Sequence, residues 1–506
     1  MSNMKGLSVD STSNVATIET GNRLGEVAVG LNEKGRALPH GTCPYVGIGG
    51  HSGKVELCFV LRVCGVGWLT DVKALGGFGY TSRIWGLTID TIQAVNTVLA
   101  NGTSVRVTKD NYPGLFFALR GASPSFGRTT SIEVQTFPVP NYSIIFSYTW
   151  DLDTQTASQA VLDFQTFTTS DQLPPEFGGR LTLSKGTTQG NISLTLLGGW
   201  YGEQGTKLDQ VLSPFLGKMP KPDTEARLGN GTYIDSVKEL GGGLDTSMKA
   251  DTRDTFYARS LMTPVGEPLS VDAVGRFVRY LSEEGVESWF MQVELCGGPN
   301  SEVNAVPVEE SAFVRRDTLF TWQLYASSSN NEPPYPEEGF TFVDGVVNSI
   351  VGDKNDYSAY MNYIDDRLDN WQKRYYGDHY DRLRGIKTQF DPGNVFASTM
   401  SIERRFVLYP AHSKSLKRKF GSYRTVLQAL VPAIVPTPDN SIEAARSTSS
   451  DIIVAVPSFI KAWARHPEHV KWLTVCSAVL YGGGSLNCEV GDYMTSQGVP
   501  IVNFYG

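Results

Sequence analysis

One glycine-dense segment near the start of the chain has the composition of a loop that holds a cofactor. Residues 41–53 read GTCPYVGIGGHSG and contain five glycines around a single cysteine, Cys43. Glycine has no Cβ, so the backbone N–H groups of such a loop can approach a ligand closely. The segment is neither a G-x-G-x-x-G fingerprint nor a P-loop, because the G-K-[ST] ending is missing. It predicts a cofactor-binding loop, and a tight glycine-rich turn is the alternative.

The other cysteines and the histidines do not form a metal-binding pattern. The chain has six cysteines and six histidines, without a C-x-x-C pair or an H-E-x-x-H motif. These spacings are the ones that bring zinc ligands together. We therefore expect no metal site, and six cysteines are too few for a disulfide framework.

Charge and hydropathy exclude two classes of partner. The 506 residues carry 52 acidic and 44 basic side chains, a net charge of −8, which argues against nucleic acid and anionic lipid. Without an uncharged apolar run of about 18 residues, no membrane-spanning helix is predicted. Residues 1–20 lack a signal-peptide pattern, whereas four glycosylation sequons (Asn101, Asn141, Asn191 and Asn230) agree with secretion, so localisation stays open.

Hydrophobic patterning predicts an α+β chain. Strands followed by a helix from Leu24 are expected within residues 7–31, and residues 140–350 form one larger unit. The further predicted strands are Ser104–Val107, Ser131–Phe137, Ile144–Trp150, Arg180–Leu183, Ile192–Gly199, Trp289–Leu295 and Thr318–Ala326. The further predicted helices are Thr91–Leu99, Thr156–Phe167, Val271–Glu284 and Phe342–Ile350, with a helical aromatic stripe over residues 366–389.

Five long motifs occur in a characteristic order. They are GRALPHGTCPYVGIGGHSG, GGFGYTSRIWGLTID, NYPGLFFALRGASPSFG, WFMQVELCGGPNSEVNAVP and YMNYIDDRLDNW with the following YYGDHYDRLRGIKTQFDPGNVF. Together they resemble the fungal glucooligosaccharide-oxidase and berberine-bridge-enzyme-like flavoproteins. The resemblance implies a vanillyl-alcohol-oxidase (PCMH-type) FAD-binding domain at residues 1–140, incomplete here. It also implies an antiparallel-sheet substrate domain covered by helices at 141–350, and a return to the FAD domain at 351–402.

The resemblance implies a set of FAD-binding residues. Cys43 matches the cysteine whose sulfur is linked to the flavin ring, and its alternative role is that of a small buried hydrophobic residue. The other implied FAD-binding residues are Gly47, Gly49, Gly50, His51, Gly79, Ser82, Gly86, Gly121, Ser125, Gly127 and Asn394.

The same resemblance implies the catalytic residues. Tyr363 matches the tyrosine over the flavin, and Glu294 matches its acidic partner, with Gln292 two residues earlier on the same strand face. A sugar or secondary-metabolite alcohol would give its hydride to the flavin and oxygen would reoxidise the flavin. The hydroxyl proton needs a base, and a tyrosine with a pKa near 10 needs a carboxylate beside it. A core tyrosine and a solvent-facing strand glutamate are the alternatives.

Two features depart from the family pattern. The chain begins just before Leu7, so we expect an N-terminal truncation that removes a pyrophosphate-binding loop and a flavin-linked histidine. Residues 54–75 interrupt the cofactor loop with 22 residues, KVELCFVLRVCGVGWLTDVKAL. Their length and position suggest a translated, unspliced intron, and a natural loop insertion is the alternative.

The C-terminal part has a different character. Residues 403–452 are predicted to be a linker, and residues 453–506 resemble a fragment of an adenylate-forming (AMP-binding) domain without its phosphate loop. We expect this fragment not to bind ATP and to be too short to close a core. The predicted function is that of an FAD-dependent oxidoreductase. The alternatives are a truncated, fused product that holds no FAD and, less favoured, an acyl-adenylating enzyme.

Overall fold

The computed structural model consists of two compact units, residues 1–406 and 407–506. It describes residues 3–52, 62–63, 77–205, 207–247, 252–253, 255–283, 288–352, 357–397, 400–404, 438–447, 452–481 and 486–503. The insertion predicted at residues 54–75 lies almost entirely outside these ranges.

The first third of unit 1 forms a five-stranded sheet. Its elements are β1 (Leu7–Val9), β2 (Val15–Glu19), α1 (Leu24–Asn32), β3 (Arg36–Ala37), α2 (Ile48–Ser52), β4 (Arg62–Val63), α3 (Ser82–Trp85), α4 (Thr88–Thr91), β5 (Ile92–Val98), β6 (Ser104–Thr108), α5 (Pro113–Ala122), β7 (Arg128–Gln135) and β8 (Phe137–Pro138). The sheet has the antiparallel order β1-β2-β7-β5-β6. The glycine-rich segments predicted to bind the cofactor lie in the connections between these strands.

The helix predicted at Thr91–Leu99 is wrong. Residues Ile92–Val98 form strand β5, which hydrogen-bonds β7 on one side and β6 on the other. The apolar side chains of this segment fit both the helical period of about 3.6 residues and the strand period of about two residues. A run this short cannot discriminate between a helix and a strand. The Asn101-Gly102 turn, with Gly102 at φ +82°, lets the chain reverse and pair with Ser104–Thr108.

The middle of unit 1 forms a seven-stranded antiparallel sheet. Its elements are β9 (Ile144–Leu152), α6 (Thr154–Thr168), β10 (Phe177–Lys185), β11 (Ile192–Trp200), α7 (Lys207–Leu216), β12 (Thr224–Leu228), α8 (Tyr233–Gly241), β13 (Thr252–Arg253), β14 (Phe256–Pro264), α9 (Val271–Glu283), β15 (Ser288–Leu295), α10 (Glu302–Ala305), β16 (Thr318–Ser327) and α11 (Glu337–Val351). The strand order is β12-β9-β11-β10-β15-β16-β14. The strands predicted here and the helices matching α6, α9 and α11 are confirmed.

The two faces of this sheet differ in chemistry because side chains alternate along each strand. One face carries Leu181, Val293, Trp322 and Leu261, which pack in one core with helices α6, α9 and α11. The opposite face carries a row of polar side chains in the central strands. They are Arg180, Gln292, Glu294, Thr321, Gln323 and Ser260, all buried. Buried polar side chains need hydrogen-bond partners. This face is therefore a candidate binding site rather than a surface for apolar packing.

The last part of unit 1 returns to the first sheet. Helices α12 (Trp371–Tyr376) and α13 (His379–Phe390) bury Tyr375, Leu383 and Ile386 in the same core as the five-stranded sheet. The predicted helical stripe is confirmed, with a break at Gly377, whose φ is +49°. Among the described residues, no helix is both long and apolar enough to cross a bilayer.

Unit 2 contains a small parallel sheet with helices. Its elements are α14 (Pro438–Ser447), β17 (Ile452–Ala455), α15 (Pro457–Trp463), α16 (Pro467–Leu473), β18 (Ala478–Tyr481), α17 (Cys488–Ser496) and β19 (Ile501–Asn503), with the strand order β17-β18-β19. The expectation that the tail cannot close a core is wrong. Trp463, Leu473, Val479 and Met494 are fully or almost fully buried together, because helices flank the sheet. Helix α14, inside the predicted linker, contributes Ile442 to this core.

Candidate active site

The structure brings Tyr363 and Glu294 into direct contact. The Tyr363 hydroxyl donates a hydrogen bond to Glu294 Oε2 at 2.9 Å. Glu294 is 1% exposed and Tyr363 is 8% exposed, so the pair is shielded from water. This is the geometry in which a phenol can lose a proton to a carboxylate as it accepts one from another hydroxyl.

Elements on both sides of the pair fix its position. Glu294 is the penultimate residue of β15, a central strand, and Tyr363 lies in the segment between α11 and α12. That segment is attached to edge strand β14, where Ser260 Oγ donates to the Tyr360 carbonyl and accepts from the Tyr360 N–H. The Met262 N–H also donates to the Ser358 carbonyl at 2.8 Å.

A charged cluster holds the segment just beyond Tyr363. Asp365 accepts hydrogen bonds from Arg259 at 2.8 Å and from the Tyr257 hydroxyl at 3.1 Å. Arg259 also contacts Asp344 at 2.9 Å. Burial acts to lower the pKa of Arg259, but the carboxylates of Asp365 and Asp344 raise it overall, so the side chain stays cationic.

Gln292 shares the polar face with Glu294, as its spacing predicts. Its cross-strand neighbours are Thr182 on β10 and Gln323 on β16, and it is fully buried. Gln323 is a residue that sequence reasoning missed, although its position in an alternating strand next to Gln292 could have shown it. Together these amides offer donors and acceptors beside the Tyr363–Glu294 pair.

Arg180 is a second missed residue beside the pair. It lies directly across from Glu294 in the β10–β15 register, with Arg180 Nη1 3.8 Å from Glu294 Oε1. Its guanidinium also lies over the ring of Tyr80, 5.8 Å from the centroid. Nothing local in the sequence indicated this residue, because the contact depends on strand register.

The loop carrying Gly79, Ser82 and Gly86 is anchored to the same sheet. Ser82 Oγ accepts from the Gly79 N–H at 3.0 Å, and Gly86 has a φ of +79° at the end of α3. Arg83, also missed, donates to the carbonyls of Phe177 and Gly297, next to β10 and β15. Burial lowers the pKa of Arg83 to about 10. The guanidinium remains charged at neutral pH and fixes the predicted cofactor loop to the sheet that carries Glu294.

The loop with Cys43 packs against Gly79. A Cβ on Gly79 would lie 1.7 Å from the His40 carbonyl oxygen, so only glycine allows these backbones to meet. Cys43 is partly exposed. Gly49 packs against Thr20, whereas a Cβ on Gly47 would meet no atom within 4 Å. The segment thus combines close packing with open space beside Gly47.

The third predicted loop approaches the site through aromatic residues. Gly121, at φ +124°, lies so close to Phe313 that a Cβ would be 2.8 Å from the Phe313 nitrogen. The Phe313 ring meets Tyr360 edge to face, and Tyr360 meets Tyr363 in the same way at 5.4 Å. Ser125 Oγ accepts from the Ile402 N–H, so this loop is tied to the end of unit 1.

The remaining predicted residues are placed less centrally. Gly127 packs against Thr97, where a Cβ would lie 2.4 Å from Thr97 Oγ1. Asn394 is exposed in a turn after α13 at φ +53°, and its N–H donates to the Asp391 carbonyl. Gly50 and His51 belong to α2, and the side chain of His51 lies outside the described part.

The described residues around these loops fit a bound FAD. His40 is buried with Nδ1 2.7 Å from the Gly41 carbonyl, and its Nε2 has no partner among the described residues. Burial lowers the pKa of His40, so the ring is neutral and Nε2 can accept a hydrogen bond. Both side-chain atoms of buried Asn362, next to Tyr363, likewise lack a described partner. Buried polar atoms of this kind ordinarily have partners, and a polar cofactor would supply them.

We expect the substitution Gly79→Ala to destabilise unit 1 strongly. The new methyl group would overlap the His40 carbonyl, and forcing backbones apart costs about 1–3 kcal/mol or more. Gly47→Ala is the matched control, since its methyl group enters open space. Thermal unfolding of both variants checks this, and equal melting temperatures would contradict the close packing of the two loops.

The described part of unit 2 contains a group of side chains that could hold a metal ion, although no metal site is expected from the sequence. His466, Glu468 and His469 place their ligand atoms within 4.8 Å of one another. The group lies at the start of a short helix, whose dipole disfavours a cation, and two of its members are exposed. His469 Nδ1 also has no described hydrogen-bond partner, although metal-binding histidines ordinarily have one. We therefore assign no metal to this group.

Comparison with known proteins shows which family and which relatives the chain is similar to. Residues 359–403 match the family described as berberine and berberine-like. The xylooligosaccharide oxidase of Thermothelomyces thermophilus is 33% identical over 417 residues, 79% of this chain and 76% of the relative.

Two solved structures show that the match in fold covers 80% of the chain. The xylooligosaccharide oxidase of Myceliophthora thermophila C1 in complex with xylobiose aligns at a TM-score of 0.67 and 30% identity, covering 80% of this chain and 81% of that one. The Acremonium strictum glucooligosaccharide oxidase, with 6-S-cysteinyl, 8α-N1-histidyl FAD, aligns at a TM-score of 0.68 and 30% identity over the same shares.

The fold and the site define an FAD-linked oxidoreductase with the α+β architecture of the vanillyl-alcohol-oxidase type. The chain belongs to the FAD-linked oligosaccharide oxidases within the berberine-bridge-enzyme-like flavoproteins. Proteins of this family bind FAD. The family resemblance inferred from the motifs is thus confirmed.

Proposed function

We propose that this protein oxidises a hydroxyl-bearing carbon of a carbohydrate, or of a secondary-metabolite alcohol, at the Tyr363–Glu294 pair. The single observation that carries the proposal is the buried 2.9 Å hydrogen bond between these side chains. It lies on the polar face of the seven-stranded sheet, next to Gln292. Relatives named as oligosaccharide oxidases support the carbohydrate class.

The chain's own residues would manage the proton. When bound, FAD would supply the hydride acceptor for the substrate carbon and the route by which the two electrons reach oxygen. Tyr363 would accept the substrate hydroxyl proton at Oη while its own proton moves to Glu294 Oε2, leaving a carbonyl product. Gln292 would hydrogen-bond the substrate and orient the reacting carbon. Burial of the pair excludes water and strengthens each of these contacts.

The cofactor would be held by the three glycine-rich loops, with Cys43 linked through sulfur to the flavin ring. The packing of residues 359–402 with the first sheet supports a division into an FAD-binding part, formed by 1–140 and 351–402, and a substrate part, 141–350. The N-terminal truncation, the intron origin of residues 54–75 and the adenylation-domain origin of 453–506 remain predictions.

We expect the purified chain to show a flavin absorption band that stays with the protein after acid precipitation. In the Cys43→Ala variant the band should move to the supernatant, because the thioether cannot form. Cys476→Ala, a change at a buried cysteine in unit 2, is the control and should retain the band. A band released from the unaltered protein would contradict the covalent role of Cys43 but not FAD binding.

Hydrogen peroxide release on a panel of oligosaccharides and alcohols then tests the reaction itself. Product formation with one class identifies the substrate. Colourless protein without peroxide release would favour the non-catalytic alternative. Substrate-dependent pyrophosphate exchange would favour the acyl-adenylating alternative, which no contact in the described part of unit 2 supports.

A further inference from the structure

We propose that Arg180 is a positioning residue that keeps the Glu294 carboxyl group ionised and aimed at Tyr363. The inference rests on the proposed function, in which Glu294 receives the Tyr363 proton. The motifs alone indicated a phenol, Tyr363, and a carboxylate, Glu294. The inference adds the guanidinium cation of Arg180 to this pair.

The geometry places the guanidinium and the carboxylate together within the protein. Arg180 and Glu294 face each other across the β10–β15 pairing, and their Nη1 and Oε1 atoms are 3.8 Å apart. The side chain of each is 2% exposed. Glu294 Oε2 thus accepts from Tyr363, and Oε1 faces Arg180.

The charge of Arg180 is needed because burial opposes ionisation of a carboxyl group. An arginine keeps its charge at all relevant pH values, so it can compensate a buried anion over the whole working range. A protonated Glu294 could not accept the proton of Tyr363. The Tyr80 ring, 5.8 Å from the guanidinium, provides a second favourable surface for the cation and limits its movement.

Besides Arg180, the described surroundings of Glu294 contain neutral groups, the Arg316–Asp90 pair, and Arg83, whose guanidinium donates to backbone carbonyls. The titratable and charged groups facing this region from its neighbouring elements are Arg180 and Tyr80, Tyr360 and Tyr363, Cys296, and the Arg316–Asp90 pair beyond Cys296. Burial raises the pKa of the Cys296 thiol to about 12, so this group stays neutral. Thr321 on β16 and Gln292 on β15 carry no charge. Arg180 therefore acts on Glu294 at close range, with its Nη1 atom 3.8 Å from Glu294 Oε1.

The proposal predicts a specific change in pH dependence. In Arg180→Met, the acid limb of the kcat profile should move up by about one pH unit or more, because a buried carboxyl group that loses its cation ionises at higher pH. On that acid limb, kcat of the Arg180→Met variant should be lower than that of the unaltered protein on the order of tenfold. The difference in kcat should become smaller as the pH rises. Arg180→Lys should restore most of the profile. Arg106→Met, at an exposed Arg–Glu pair, is the matched control and should leave it unchanged.

A second measurement does not depend on flavin or on turnover. Arg180→Met should lower the melting temperature of the full chain by about 5 °C or more, because it leaves a buried charge without its cation. The double variant Arg180→Met with Glu294→Gln should regain much of that loss, since the buried charge is gone and Tyr363 keeps an acceptor.

The two measurements separate the possible failures. If the unaltered protein neither binds FAD nor turns over, the proposed function fails, and the recovery of melting temperature still decides whether Arg180 compensates Glu294. A pH profile and a melting temperature for Arg180→Met that match those of Arg106→Met would overturn the assignment. A loss of stability in Arg180→Met that the double variant does not recover would show that Arg180 only contributes packing. That result would also overturn the assignment of Arg180 as a positioning residue.

Discussion

The substitution Tyr363→Phe is expected to lower kcat on the order of 10²–10⁴-fold while changing KM much less. Proton transfer by a positioned side chain contributes about this much to an enzymatic rate. The phenylalanine ring fills the same space but cannot take the substrate proton or pass one to Glu294. Steady-state peroxide release, measured on protein with equal bound flavin, checks the prediction.

Two comparisons make this test specific. Tyr112→Phe removes a hydroxyl from an exposed side chain and should leave kcat unchanged. Glu294→Gln should reduce kcat as well, and the double variant should be little slower than either single one, because residues that act as a unit are not additive. Independent, multiplying losses would indicate that the two residues do not share one proton.

The substitution Lys387→Met is expected to lower the free energy of unfolding by about 3–5 kcal/mol. Lys387 and Asp391 are fully buried, and Lys387 Nζ contacts Asp391 Oδ2 at 2.6 Å, the Ser125 carbonyl at 2.7 Å and the Phe396 carbonyl at 3.1 Å. Removing one partner of a buried pair leaves the other charge uncompensated, which has an effect of this size. Denaturant unfolding of unit 1 measures it.

The control for this variant is an exposed pair of the same type. Lys218 Nζ lies 2.9 Å from Asp163 Oδ1 with the lysine half exposed, and Lys218→Met should cost less than about 1 kcal/mol. Because Lys387 also holds the Ser125 carbonyl, its loss should loosen flavin retention, whereas the Lys218 variant should not. Equal stability of the two variants would show that the buried pair adds nothing.

The pH dependence of this contribution has a definite sign. Burial acts to raise the pKa of Asp391, but Lys387 and the N–H groups of Phe396 and Val395 lower it overall. The contribution of Asp391 is therefore complete at neutral pH, and it should be lost as the pH falls below about 4. The Lys387→Met variant should show a smaller loss over the same range.

Local patterns in the sequence determined features of this protein beyond its secondary structure. The motif around Cys43 and the order of the five motifs indicated the family, and that resemblance implied Tyr363 and Glu294 as candidate catalytic residues. Alternation in strands such as β10 and β15 also fixed which side chains share a face, since the period of a strand is two residues. Short apolar segments remained ambiguous, and Ile92–Val98, predicted to be helical, forms a strand because β6 and β7 lie on either side of it.

Further partners of the site residues, which the motifs do not contain, were decided by the tertiary structure. Arg180 reaches Glu294 across 114 residues of chain through strand register, and Arg83 reaches the Phe177 and Gly297 carbonyls through the packing of a loop on a sheet. No local motif encodes such pairings, because the free energy of a buried charge depends on what surrounds it in space. By itself the sequence determined which residues could do the chemistry. Only the fold decided which buried charges and backbone groups hold them in position.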